Sequence, residues 1–518
     1  MPNVEMICLR KAVRLALEKE EEGETSGEGS SVAATAVDRW PDLNLLDRDE
    51  LLWEWSAHGC AVGLQGQSCK KWVFNVRQYG AIADGKTDNT QAFLKAWSEA
   101  CQWRGRRSVF VPLGIYFLGS FIVEGPCKGS MEFLIRGILV APTDPKQFFT
   151  DHWISFRYMD RLRISGGGEL DGKGASAWPY NDCQTGSCPP LPATIRFDFV
   201  NNLEIHRISS LNSKHVHFNI FSCNHVNISD VRILAPGYSP NTDGIHISHS
   251  SDVKISFTNI STGDDCISLG PGNQNINISQ ISCGPGHGIS VGSLGRSDQI
   301  QKVTGLTVNN CTFTNTLNGV RIKTWAATPN DAGGFASEFA FENIIVNNVS
   351  NPIIIDQQYC PYPPCSQEPS RIQISNVTFS NIQGTTDSKE AVKLVCSQSK
   401  PCQNIVLQNI DLTYIGGKEA ATSSCSNANG PLCHDDERSA LLQFKQSFSI
   451  DRNASGDPSA YSKVASWKLQ GESNDCCLWD GVECDDGTGH WPNPTGNLYA
   501  NPVDLPGSVL QSIEAPKA

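Results

Sequence analysis

Residues 224–234 read NHVNISDVRIL, with Val226, Ile228, Val231 and Ile233 as the recurring apolar positions. A spacing of two inside each pair is that of a strand with one buried face, and the step of three between Ile228 and Val231 breaks the parity, which predicts a bend. The same pattern, at relative positions 0, 2, 5 and 7, returns in Ile276/Ile278/Ile281/Cys283, Leu306/Val308/Cys311/Phe313, Phe339/Phe341/Ile344/Val346, Ile372/Ile374/Val377/Phe379 and Ile405/Leu407/Ile410/Leu412. Looser copies start at Leu203 and Val253, so successive copies begin 23 to 33 residues apart, the period of a solenoid coil. No leucine-rich consensus runs through the region. Several short strands per coil, with insertions at the turns, predict an all-β chain wound as a right-handed parallel β-helix. Asn310, Asn343, Asn376 and Asn409 each occupy position 4 of consecutive copies, where stacked amides are expected to bond along a ladder. That placement argues against glycans at the sequons of Asn310 and Asn376 and favours Asn227, Asn277 and Asn453.

Around this repeat the 518 residues divide unevenly. Residues 1–71 pass through the acidic, Gly/Ser-rich EKEEEGETSGEGSS and are expected to be a disordered extension, because such a stretch cannot bury enough apolar area to offset its ordering entropy. Residues 72–428 form the β-helix. After residue 429 the pattern stops, and CHDDERSALLQFKQSF predicts a helix inside a small cysteine-rich module to about residue 490, followed by a tail, 491–518, without periodicity.

A net charge of −13 argues against a nucleic-acid partner, since a phosphate backbone needs a basic face. No apolar run is long enough to span a membrane. Twenty cysteines, many in close pairs such as Cys360 with Cys365 and Cys396 with Cys402, favour an oxidising compartment. Against this, the first residues lack the apolar run of a secretory signal.

Four segments follow the repeat: SPNTDGIHI (239–247), TGDDCISLG (262–270), GPGHGISVGS (284–293) and GVRIKTW (319–325). Each enters an apolar alternation, so they are equivalent strands of successive coils. Asp243, Asp265 and His287 are separated by 22 residues and 22 again, which puts them in one phase of three adjacent coils, with Asp264 beside Asp265. Strands in a sheet lie roughly 4.7–4.9 Å apart, so these groups are expected to stack on one face, and Arg321 and Lys323, alternating with Val320 and Ile322, to point outward. Paired carboxylates suit glycoside hydrolysis, one as acid to the leaving oxygen and another activating water. Crowding predicts that one carboxyl keeps its proton to higher pH and serves as the acid. Arg321 and Lys323 fit a substrate carboxylate. Stacked carboxylates also suit calcium, which the adjacent cations make uncomfortable. Cys266 and Cys283 flank the site and are expected to form a disulfide beneath it.

NTDG, GDD, GHG and RIK in this order resemble the signature of the polygalacturonases, family 28 of the glycoside hydrolases, over about residues 72–428. VFNVRQYGAIADGKTDNTQAF resembles the family's entry into its β-helix, and NPIIIDQQYC resembles plant members. The resemblance implies inverting hydrolysis of α-1,4-galacturonan (pectin) without cofactor or metal, by a monomeric enzyme of the cell wall; similarity to pollen-type members leans toward exo action. It implies Asp264 as general acid, Asp243 and Asp265 as water activators, and His287 as support for the acid. Arg321 and Lys323 then bind galacturonate carboxylates, Tyr359 lines a subsite, and Asn241 positions. The rivals are a calcium-dependent pectate lyase and a galacturonan-binding protein without turnover.

Residues 433–484 resemble a second family, the amino-terminal cap of plant leucine-rich-repeat receptors, on CHDDERSALLQFK, SW and DCCLWDGVEC. That resemblance implies Cys433–Cys476 and Cys477–Cys484 disulfides; zinc held by Cys476, Cys477, Cys484 and His490 is the alternative. No leucine-rich repeat follows, so a fusion of two neighbouring coding regions is the expected origin.

Overall fold

The computed structural model describes residues 72–181, 191–327, 333–361, 363–366 and 368–428. The expected extension, the cap module with its disulfides or zinc, the tail and Asn453 lie outside the described residues.

The apolar pairs do form strands, and the chain between them turns as the parity break predicts. In Asn224–Leu234, Val226, Ile228, Val231 and Ile233 are all buried, and Asp230 between the pairs has φ 53°. One residue in the left-handed region lets both halves of an 11-residue strand point their apolar side chains inward. Phe257 (φ 50°) and Gln280 (φ 54°) do the same in Ser251–Ser261 and Asn273–Cys283.

Every named strand pairing is parallel, and the strands make two long sheets, one of 17 strands and one of 11. Parallel neighbours joined by crossovers wind right-handed, giving the parallel β-helix. Its core is a set of columns. In-register pairing stacks Ile205 on Ile228, Ile255, Ile278, Val308, Phe341 and Phe379, and the last two rings stack at 5.0 Å and 9°. Each fully buried aliphatic side chain contributes about 1.5–3 kcal/mol, so the coils cohere by many equal increments.

The open first coil is covered by the one α-helix among the described residues, Thr90–Gln102, which the all-β reading did not anticipate. Its buried stripe, Phe93, Ala96, Trp97 and Ala100, packs on Phe121, Phe133 and Phe156, and Cys101 is bonded to Cys127.

The asparagine ladder exists with one member changed, its amide bonds joining Asn343, Asn381 and Asn409. Val377, not Ile372, pairs with Phe339, and Ile405 pairs with Val377. The row therefore runs through Asn381: Asn381 Nδ2 donates to Asn343 Oδ1 at 3.0 Å, and Asn409 Nδ2 donates to Asn381 Oδ1 at 3.0 Å. Asn376 belongs to another row and accepts from Asn404 Nδ2 at 2.8 Å. The slip has a physical cause. Ile372–Thr386 is a single 15-residue strand that fits the 0, 2, 5, 7 pattern in full from Ile372 and at its first three positions from Val377, with Gly384 at the fourth, and pairing with its neighbours selects the second register. Asn310, Asn343, Asn381 and Asn409 all have φ between 53° and 54°, a conformation asparagine tolerates better than most residues.

Candidate active site

The 11-stranded sheet carries the four motif strands side by side: Ile245–Ser248, Ile267–Leu269, Ile289–Leu294 and Asn318–Trp325. Ile245 pairs with Ile267, Ile267 with Ile289, and Ile289 with Val320. Asp243, Asp265 and His287 thus precede equivalent strands by two residues. Strict alternation would turn them inward with Ile245, Ile267 and Ile289. The strands begin only at those isoleucines, however, and the turn before them restores an outward direction. Gly288 shows how tight that turn is: φ is 84°, and a Cβ there would lie 2.2 Å from the Asn318 carbonyl oxygen. Below the turn Cys266 is bonded to Cys283, as expected.

Asp265 is the centre of the arrangement and is 2% exposed. Its Oδ2 accepts from Lys323 Nζ at 2.8 Å, and its Oδ1 accepts from Ser290 Oγ at 2.7 Å and from Arg321 Nη2 at 3.2 Å. Arg321 Nε also donates to Ser290 Oγ at 3.1 Å. Both cations therefore lie on the outward face, drawn onto Asp265. Tyr359 completes this side: its ring centroid is 5.9 Å from the Arg321 guanidinium and 5.4 Å from Lys323 Nζ, and Trp325 meets it edge-on at 5.2 Å.

Asp264 faces the next coil. Its Oδ1 lies 3.2 Å from His287 Nδ1 and accepts the Asp265 backbone N–H at 2.8 Å. Donor atoms of Asp264, Asp265 and His287 all fall within 4.8 Å of one another. Asp243 is held by Ser268, whose Oγ donates to Asp243 Oδ2 at 2.6 Å. Asn241 is in the left-handed region, φ 53°, at the head of the same turn.

Crowding does raise one carboxyl, but it is Asp243 and not Asp264, the residue expected as the acid. Burial first, then the charges of Asp264 and Asp265, push it well above the ordinary carboxylate range. Asp264 is pushed up by burial as well, but the hydrogen bond and charge of His287, with Lys323, hold it below its ordinary value. The difference lies in the partners: a neutral hydroxyl for Asp243, an imidazole for Asp264.

Four polar residues at the site were not singled out from the sequence. Ser268 and Ser290 bind the carboxylates, and His246 Nδ1 lies 2.8 Å from Ser268 Oγ. His215 is electrostatically coupled to both His246 and Asp264. The alternation that points Arg321 outward also applies to three of them, because His246, Ser268, Ser290 and Arg321 form one in-register row.

The Glycosyl hydrolases family 28 model matches residues 101–435, and the Leucine rich repeat N-terminal domain model matches residues 434–485. The chain is 49% identical to an exopolygalacturonase of Platanus acerifolia over 358 residues, 68% of this chain and 94% of that one. To a polygalacturonase of Gossypium barbadense it is 47% identical over 354 residues, 68% of this chain and 86% of that one. Among solved structures, an exopolygalacturonase from Thermotoga maritima matches with a TM-score of 0.57 at 17% identity, covering 71% of this chain and 92% of that one, a likeness of fold alone.

Proposed function

The chain belongs to glycosyl hydrolases family 28, and from that membership we propose that it hydrolyses α-1,4 bonds of polygalacturonan with inversion, releasing galacturonate from chain ends. The observation that carries the mechanism is the set of three carboxyls on one sheet face, each with a different partner.

Asp264 gives a proton to the glycosidic oxygen as the carbon–oxygen bond breaks. A water on the opposite face adds to the anomeric carbon and leaves its proton on a carboxylate of the Asp243/Asp265 pair. A bound substrate that excludes water favours the uncharged, protonated form of Asp264, which is the form that donates. Lys323 and Arg321 pair with Asp265 and offer their outer surface to galacturonate carboxylates, while Tyr359 gives a sugar an apolar wall. Asn241 shapes the turn that aims Asp243.

Four disulfides among the described residues support action in an oxidising compartment, and the cell wall is the place where this polymer is met. The proximity of Asp264, Asp265 and His287 favours one competing occupant, a divalent cation. Lys323 and Arg321 already neutralise Asp265, which weakens that reading.

The test is reaction of the full chain, expressed with its disulfides, on demethylated polygalacturonate in excess chelator. New reducing ends without absorbance of unsaturated product are expected, with monomer as the early product and inverted anomeric configuration by proton NMR. Loss of activity in chelator, or an unsaturated product, sinks the hydrolase reading in favour of a lyase. Binding without turnover leaves a recognition protein.

A further inference from the structure

Asp243 has a hydrogen-bonded chain behind it that the roles above leave unused. Ser268 Oγ is 2.6 Å from Asp243 Oδ2 and 2.8 Å from His246 Nδ1. A serine hydroxyl has one proton. When Asp243 is ionised it can only accept, so the Ser268 proton points to Asp243, and Ser268 must accept in turn from His246. This fixes the imidazole as its Nδ1–H tautomer. The order His246 Nδ1–H to Ser268 Oγ–H to Asp243 Oδ2 then commits Oδ2 and leaves Oδ1 as the oxygen for a water proton.

Asp265 has a parallel arrangement. Ser290, the in-register neighbour of Ser268, donates to Asp265 Oδ1 and accepts from Arg321 Nε. Each carboxylate is thus held by the serine 25 residues ahead on the next coil, but the donor behind that serine differs: a permanent cation for Asp265, an imidazole for Asp243. Asp265 has both oxygens occupied by protein donors. Asp243 Oδ2 alone is held by Ser268.

We propose that His246 and Ser268 are positioning residues that aim Asp243 Oδ1 at the attacking water, making Asp243 rather than Asp265 the member of the pair that takes the water's proton. This rests on the hydrolase reading above. The proton leaves water for Asp243 Oδ1, the resulting oxygen–carbon bond forms, and Asp264 supplies the proton of the departing hydroxyl, so the charges balance. The charged and titratable groups acting on Asp243 are Asp264, Asp265 and Lys323, and those acting on His246 are His215, Asp265, Lys323 and Arg196.

Two measurements test it. Histidine-selective 15N NMR of the wild-type chain reads the tautomer without any turnover: one neutral imidazole protonated at Nδ1, lost in Ser268→Ala, is expected. A His246 resonance protonated at Nε2 overturns the proposal even if the enzyme is active. The second is kinetic. Ser268→Ala and His246→Leu should lower kcat about ten-fold or more with KM little changed, a part of the roughly 10²–10⁴-fold that positioned proton transfer contributes. Because the serine bond favours ionised Asp243, its removal should move the acidic limb of the pH profile to higher pH. His246→Asn, whose amide places a donor near the Nδ1 position, should recover most of kcat. Raised KM with unchanged kcat and pH profile overturns the proposal and makes His246 a plain substrate contact. A wild-type chain inactive on polygalacturonate but showing the Nδ1–H tautomer overturns the hydrolase reading and leaves the relay standing.

Discussion

His287 Nδ1 lies 3.2 Å from Asp264 Oδ1, so the residue proposed as acid and the imidazole of the next coil share one proton-binding site. The relationship explains why Asp264 is held below its ordinary value although burial pushes it up: the hydrogen bond and charge of His287 favour the carboxylate.

Asp264→Asn should reduce kcat by about 100-fold or more while leaving the affinity for oligogalacturonate within about two-fold, because the amide keeps the shape but has no acidic proton. Single-turnover kinetics beside equilibrium binding measure both. Retained turnover would remove the acid role.

Lys323→Met should destabilise the fold as well as impair activity. The lysine side chain is 9% exposed and its partner Asp265 only 2%. Removing one member of a buried pair typically costs about 3–5 kcal/mol, moderated here because Arg321 stays on Asp265. A lowered midpoint in urea is expected, and a midpoint equal to wild type would mean that water replaces the ammonium at no cost.

Arg321→Lys should affect both KM and kcat. An ammonium can meet a substrate carboxylate, but it cannot at once serve Ser290 through Nε and Asp265 through Nη2. Steady-state kinetics on polygalacturonate that change in neither parameter would place the substrate elsewhere.

Stability should fall with acid in a window set partly by His217. Its ring is fully buried, with Nδ1 at 2.8 Å from Ser210 Oγ, and burial pushes it down from 6.5 to about 3. A depressed group binds fewer protons folded than unfolded, so its contribution is fully present above pH 6.5 and is lost as pH falls through about 3. His217→Gln should flatten the dependence of the thermal midpoint on pH across that window. An unchanged slope would assign the acid sensitivity to other groups.

Replacing Cys266 and Cys283 together by serine should cost about 3 kcal/mol by loop closure for a bridge spanning 17 residues. Activity should suffer too, since Asp265 and the turn of His287 sit on the bridged segments. Thermal unfolding and kcat on the double variant are the readouts, and loss of stability at full activity would make the bridge a brace of the coil alone.

The sequence by itself determined the winding and much of the site. Pairs such as Val226/Ile228 and Val231/Ile233 can bury one face only if the chain bends between them, and the two 22-residue intervals from Asp243 to His287 can stack only on adjacent coils. Both are statements about period, which a linear chain carries in full. Three things were decided only in three dimensions. Whether Asn376 or Asn381 joined the ladder depended on pairing with neighbouring strands, since Ile372–Thr386 fits the apolar pattern best from Ile372 yet pairs from Val377, where Gly384 takes the last position. Strict alternation alone did not give the outward direction of Asp243 and His287; the turns at Gly244 and Gly288 did, where coils approach too closely for a Cβ. The division of labour among three like carboxyls depended on their partners: Ser268 for Asp243, His287 for Asp264, Lys323 and Arg321 for Asp265. These partners lie 23 to 58 residues away along the chain, and proton affinity depends on distance through space, which periodicity does not encode.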